Sequence, residues 1–186
     1  MRIIAGEHRG RKLLAPEGDQ TRPVTDRVKQ SIFDIVAYRL EDSHVYDCFA
    51  GTGSFGLESL SRGAAHATFF EAHKPTAKRL LQNLQTIRAE DRGTIVSTDI
   101  FAYLASSRPT KKADVVFLDP PYRFLRERSA ELVTLAKDLA THHMKPEGVI
   151  AFRHDAADQL DLGLPVADVR EYGSMTVEFL TPNASV

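Results

Sequence analysis

The chain has 186 residues, 42% of them hydrophobic and 26% charged, with a formal net charge of -1 at pH 7. That is the composition of one soluble globular domain with a sizeable core, and no apolar run approaches the roughly 20 residues of a membrane-spanning helix. The opening Met1-Arg2-Ile3-Ile4-Ala5-Gly6 lacks the apolar stretch of a secretory leader, and Cys48, the only cysteine, excludes an internal disulfide and suits a reducing cytoplasm.

Residues 1–24 read as an extended arm broken by glycine and proline, with a small hairpin whose tip is Gly-Glu-His-Arg-Gly. The first 29 residues hold seven basic side chains (Arg2, Arg9, Arg11, Lys12, Arg22, Arg27 and Lys29) against four acids, while the rest of the chain is net acidic. Such a segment contacts a polyanion or is simply a solvated surface. Thr25 or Asp26 is expected to cap a helix carrying the apolar stripe Val28, Ile32, Phe33, Ile35, Val36 and Leu40. Residues 1–43 are therefore set apart as a basic extension from a main domain over 44–186.

From residue 44 the pattern alternates. Strands are expected at Val45–Ala50, Ala67–Glu71, Gly93–Thr98, Asp114–Leu118 and Gly148–Arg153. Helices are expected at Phe55–Arg62, Pro75–Ile87, Ile100–Ser106 and Ser129–His142. Val166–Tyr172 and Met175–Leu180 read as strands joined by a turn at Gly173-Ser174. Alternating strand and helix implies an α/β fold with a mostly parallel sheet and right-handed crossovers. A closing antiparallel hairpin on such a sheet of seven strands is the layout of the Rossmann-like methyltransferase fold.

Two motifs carry the chemistry. The first, Val45-Tyr46-Asp47-Cys48-Phe49-Ala50-Gly51-Thr52-Gly53-Ser54-Phe55-Gly56, is a strand running into a glycine loop that opens a helix. Ligands of open parallel sheets sit beyond the carboxyl ends of the strands. There, glycines let the backbone approach a ligand, and the helix start offers free N–H groups. Ala50, Gly51, Thr52 and Gly53 are the loop's candidate cofactor residues. Asp47 binds either the loop backbone or a cationic amino group of the ligand. Glu71 ends the second strand 18 residues after Gly53, where an acid can accept from ribose hydroxyls. Asp99 ends the third strand and suits an adenine amino group. Ile100 and Phe101 either cover the adenine or pack the next helix.

A nicotinamide dinucleotide also fits the glycines alone, but no hydride-handling residue stands out. No Gly-Lys-Ser/Thr follows, so a P-loop is excluded. His66, His73, His142, His143 and His154 show no zinc-like spacing, so no metal is expected, and His142 and His143 read as surface residues.

The second motif is Asp114-Val115-Val116-Phe117-Leu118-Asp119-Pro120-Pro121-Tyr122, a buried strand ending in an acid, two prolines and a ring. The lone pair of an exocyclic base amino group is delocalised into the ring. The Asp119 carboxylate and the Pro120 carbonyl can hold the NH₂ so that this lone pair faces a methyl sulfonium. Pro120 and Pro121 restrict the loop, and Tyr122 can stack on the base. With the glycine loop, this points to S-adenosylmethionine and methyl transfer to a planar nitrogen.

Met1–Leu13, Thr21–Val28, Asp47–Ala64, Asp119–Tyr122 and the closing Tyr172-Gly173 are similar to the bacterial 16S ribosomal RNA (guanine-N2)-methyltransferases, a resemblance running from residue 1 to about 180. It implies the Rossmann-like class I fold, S-adenosylmethionine as cofactor, and methylation of one guanine amino group in 16S RNA within the assembled small subunit. The resemblance carries Asp119 and Tyr122 over as catalytic positions, and Asp47, Gly51, Gly53, Glu71 and Asp99 as cofactor positions. Arg9, Arg11, Lys12, Arg22, Arg27 and Arg123 are the expected RNA contacts, with Arg22–Arg27 open to either cofactor or RNA. A monomeric cytoplasmic enzyme is expected. The alternatives are an adenine-N6 methyltransferase on DNA or RNA, or a non-catalytic RNA-binding assembly protein of the same fold.

Overall fold

The computed structural model describes residues 1–16, 24–109 and 111–183. Its centre is a seven-stranded sheet made of β1 (His44–Cys48), β2 (His66–Phe70), β3 (Gly93–Val96), β4 (Ala113–Leu118), β5 (Met144–Asp155), β6 (Val166–Tyr172) and β7 (Met175–Leu180). The strand order is β3-β2-β1-β4-β5-β7-β6. The first five strands run parallel, and β7 is antiparallel to both β5 and β6. The order reverses between β1 and β4, which makes the carboxyl ends of that pair the switch point where such sheets bind ligands.

The strands read as nearly unbroken apolar runs because both faces are covered. Val115 and Phe117 of β4 join a cluster with Phe33, Phe55, Phe69 and Val177. Val116 and Leu118 point the other way, into a cluster with Cys48, Phe70, Ile150 and Phe152. The helices are α1 (Asp26–Val36), α2 (Ser54–Ser61), α3 (Lys74–Thr86), α4 (Ile100–Ser106), α5 (Phe124–Glu127) and α6 (Ser129–Asp138). Gly56 lets α2 lie directly on β2, since a Cβ there would fall 2.2 Å from the Phe69 ring. No helix among the described residues is long and apolar enough to cross a membrane.

Several expectations change in detail. β1 and β3 end two residues early, and β5 extends at both ends, pairing with Ala113 at its start and with Met175 at its finish. α5 was not anticipated. α6 gives way at Leu139–His143 to a π-helical turn, which swings His143 inward. The reading of His143 as a surface residue is therefore corrected: it is 1% exposed, with Nε2 3.2 Å from Asp138. His154 is equally buried, facing Glu178.

The first residues form the expected hairpin. Arg2 and Lys12 bridge antiparallel, Leu13 N–H donates to Met1 O, and Gly10 N–H donates to Ile3 O. The hairpin is not a free arm, because Ile3 and Leu13 belong to the same apolar cluster as Phe117. Glu58 of α2 fastens it. Its carboxylate, 0% exposed, accepts from the backbone N–H groups of Ile4 and Ala5, each at 2.9 Å, and from Arg62 Nε at 2.9 Å. Lys29 Nζ of α1 lies 3.1 Å away and also donates to Arg2 O. Lys29 therefore leaves the tally of surface cations, and Arg2 is paired with Asp26.

Glu58→Ala should lower unfolding free energy by about 3–5 kcal/mol, because it strands the buried Lys29 charge. Adding Lys29→Met should restore part of the loss. Urea denaturation of both variants measures this; equal stability of the single and double variants would contradict it.

Candidate active site

The glycine loop leaves β1 at Phe49, which takes a left-handed φ of 63° that is costly for a bulky residue. Ala50 N–H donates to Phe70 O, and Gly53 N–H donates to Ala50 O. Gly51 also has positive φ, and a Cβ there would meet nothing within 4 Å. The loop backbone thus borders open space where a ligand can approach. Thr52 turns the other way: it is 2% exposed, and its hydroxyl faces Met1 Sδ. The buried Asn83 of α3 braces this side, donating to both Thr52 O and Leu14 O and accepting from Leu14 N–H.

Two acids set the loop's shape. Asp47, 1% exposed, accepts from Gly56 N–H at 2.8 Å under the start of α2. Of its two expected roles, the geometry displays the loop-bracing one. Burial pushes its carboxyl up to about 8 against the lowering pull of the Gly56 N–H, with the neighbouring Asp119 and Glu71 charges adding to the rise. Glu71 spans the loop mouth, accepting from Gly51 N–H at 2.9 Å and His73 N–H at 2.7 Å. Burial raises its carboxyl, and those two N–H groups oppose the rise.

Asp99 caps α4 by accepting from Phe101 N–H at 2.9 Å, and its other oxygen lies 3.5 Å from Arg128 Nη2. Ile100 is 3% exposed and packs in the second core. Phe101 instead borders Phe49 at 5.8 Å and Phe124 at 6.3 Å between ring centroids. The Arg128 guanidinium covers Phe101 at 3.9 Å.

Asp119 follows β4 directly, with its N–H aimed at Cys48 O. Its Oδ1 accepts from Arg153 Nε of β5 at 2.7 Å. Burial holds the Asp119 carboxyl above the ordinary carboxylate value, and the Arg153 charge and hydrogen bond oppose that rise. Pro120 is buried, Pro121 exposed and Tyr122 half-buried, with the Arg153 guanidinium 5.9 Å from the Tyr122 ring centre.

The fold thus gathers Asp47, the glycine loop, Glu71 and Asp119 at adjoining strand ends. Arg9, Arg11 and Lys12 are exposed on the hairpin, Arg27 on the first turn of α1 and Arg123 beside Phe124. Arg22 lies outside the described residues. Sequence reading missed Arg153, Arg128 and Glu58. Arg153 alone left a trace, as a cation at the carboxyl end of an apolar strand.

Comparison with known proteins gives consistent matches. A model of the family described as conserved hypothetical protein 95 matches residues 1–181. The chain is 39% identical over 138 residues to ribosomal RNA small subunit methyltransferase D of Escherichia coli K12, spanning 74% of this chain and 67% of that one. It is 39% identical over 135 residues to the Haemophilus influenzae protein of the same name, spanning 72% and 70%. Among solved structures it is similar to yhhF of Escherichia coli, described as a candidate methyltransferase, with a TM-score of 0.81, 31% identity and 97% of both chains covered.

The raised Asp47 carboxyl makes stability depend on pH. The folded state holds the proton up to about 8, against an ordinary value of 3.8, so the contribution is full below the ordinary value and is lost as pH rises through about 8. Asp47→Asn should remove this decline. Urea midpoints on either side of neutrality, compared between the two proteins, test it; parallel pH profiles would contradict the assignment.

Proposed function

The chain belongs to the family described as conserved hypothetical protein 95, and from that premise we propose that it methylates the N2 amino group of one guanine in 16S ribosomal RNA. S-adenosylmethionine is the methyl donor, and the substrate is the assembled small subunit. The observation that carries this reading is the placement of Asp119 beside the Gly51–Gly53 loop at the β1–β4 switch point. Residues 1–43 serve as the RNA-docking extension and residues 44–186 as the transfer domain. The protein works as a cytoplasmic monomer.

The residues present fit the donor. The backbone at Gly51 faces open space, Glu71 presents acceptors at the loop mouth for ribose hydroxyls, and Asp99 lies near the Phe101 ring that an adenine would border. When bound, the donor supplies an electrophilic methyl on a sulfonium. The protein's own part is to present the nucleophile. Asp119 accepts an N–H of the target amino group, the Pro120 carbonyl accepts the second, and Tyr122 stacks on the base. Held this way, the nitrogen lone pair would face the methyl that the donor supplies. On gaining the methyl the nitrogen would become cationic, and one of its own two protons would leave to Asp119 or to water. Positioning supplies most of the rate.

The Arg153 ion pair supports the reading of guanine over adenine. An Asp119 held as carboxylate would suit an edge on which N1–H and N2–H are adjacent donors. On adenine the amino group adjoins the N1 lone pair, which would repel the same carboxylate. The target base must leave its stack, at a cost of a few kcal/mol. Phosphate contacts from Arg9, Arg11, Lys12, Arg22, Arg27 and Arg123 offset that cost away from the reacting atom.

Labelled methyl transfer measured in parallel on small subunits, naked ribosomal RNA and DNA tests the activity. The label is expected on guanine N2 in small subunits; label on adenine or on DNA would overturn the substrate. Asp119→Ala should lower turnover about 100-fold or more, with cofactor affinity by calorimetry nearly unchanged. Glu71→Ala should show the reverse, weakened cofactor binding in a folded protein.

Replacing Arg9, Arg11 and Lys12 together by Ala should weaken small-subunit binding and flatten its salt dependence by roughly 2 in log–log slope, through fewer counterions released. Filter binding across salt concentrations reads both; an unchanged slope would reassign this segment to plain solvation.

A further inference from the structure

Asp119 and Arg153 come from neighbouring parallel strands. Leu118 of β4 pairs with Phe152 of β5, so the next residue of each strand falls side by side. Both side chains leave the sheet on the face of Phe117 and Ala151, and the Arg153 side chain is only 11% exposed. Nε holds Asp119 Oδ1, Nη1 lies 3.8 Å from Met175 Sδ, and the guanidinium carbon stands 5.9 Å from the Tyr122 ring centre. One planar cation thus touches the acid of the Asp-Pro-Pro-Tyr loop and adjoins its ring. A planar guanidinium suits this double task better than an ammonium would.

We propose that Arg153 is a positioning residue for methyl transfer: by pinning Oδ1 of Asp119 beside Tyr122, it presents Oδ2 and the ring together to the substrate's amino group. This rests on the reading of Asp119 as the amino-group acceptor. The groups around Asp119 are Arg153 from β5, which it bonds, Asp47 from β1, with which it interacts by charge, and Tyr122 of its own loop, which adjoins Arg153. Burial favours the protonated acid, and ionised Asp47 would push the same way. Arg153 is the one of the three that favours the carboxylate. Without its charge, the acid keeps its proton to higher pH and donates where it should accept.

The experiment uses the full-length protein with small subunits and labelled cofactor, following Arg153→Gln and Arg153→Lys from about pH 5.5 to about pH 9. Carbon NMR of labelled aspartate reads the Asp119 titration independently of activity. Arg153→Gln should lower the rate roughly ten-fold near neutrality, recover it at alkaline pH, and move both the acid limb and the carboxyl titration to higher pH. Arg153→Lys should move them less, in the same direction, and cofactor affinity should be unchanged in both. A rate lowered equally at every pH, with the limb and titration in place, would overturn the role. If the glutamine variant does not fold, Arg153→Lys decides alone by whether its limb moves. An unmodified protein that methylates neither small subunits nor naked RNA would overturn the reading of Asp119 and this role with it. The carboxyl titration tells that failure from a failure of the ion pair alone.

Discussion

Four donors from three stretches of chain converge on the carboxylate of Glu58, and the arrangement at the mouth of the sheet follows from that convergence. The hairpin is too short to own a core, so two apolar side chains and this buried acid hold it in place. Once it is held, Met1 reaches Thr52 and Leu14 reaches Asn83, which in turn holds the Thr52 carbonyl. The loop is then pressed from outside by the hairpin and from inside by Asp47. A buried ion pair adds little net stability over a well-packed apolar one. What this one gives is a seat: a single carboxylate joins the hairpin's Ile4 and Ala5 N–H groups to Lys29 of α1 and Arg62 at the end of α2.

That seat ties the basic residues to the loop. Exposed cations on a wandering arm would hold a phosphate without orienting anything. On a hairpin braced through Asn83 and Glu58, Arg9, Arg11 and Lys12 keep a fixed relation to Gly51–Gly53. The acids at the strand ends are differentiated by their neighbours. Asp47 meets backbone N–H groups and burial, and keeps its proton near neutrality. Asp119 is also raised by burial, but it meets a guanidinium that opposes the rise. The two carboxyls on adjacent strands thus differ in the partner each has: backbone N–H groups for Asp47 and a cation for Asp119.

The fold was largely legible in the sequence because apolar strands and amphipathic helices alternate from His44 to Leu180, and the terminal hairpin is marked by Gly173. The glycine loop and Asp119–Tyr122 were legible because their residue types are rare in combination. What escaped depends on partners distant in sequence. Nothing near Lys29 announces that Glu58 will bury it, and nothing near Arg153 points to an acid 34 residues away. Thr52 sits between two glycines and was grouped with them, yet its side chain faces the hairpin, because β1 leaves the sheet through a left-handed turn at Phe49. His143 was assigned to the surface by counting helical faces, and the π-helical turn breaks that count.

Cys48 has a consequence of a different kind. It is 0% exposed at the end of β1, its carbonyl faces Asp119 N–H, and burial pushes its thiol well up from the ordinary range. A thiol so placed is silent to alkylating reagents while the sheet is closed, since the reactive species is the exposed thiolate. The protein therefore contains a single built-in clock for the opening of the strand that leads into Gly51–Gly53. Any ligand that binds only the closed form must slow that clock by mass action, whether or not the reaction it takes part in has been identified.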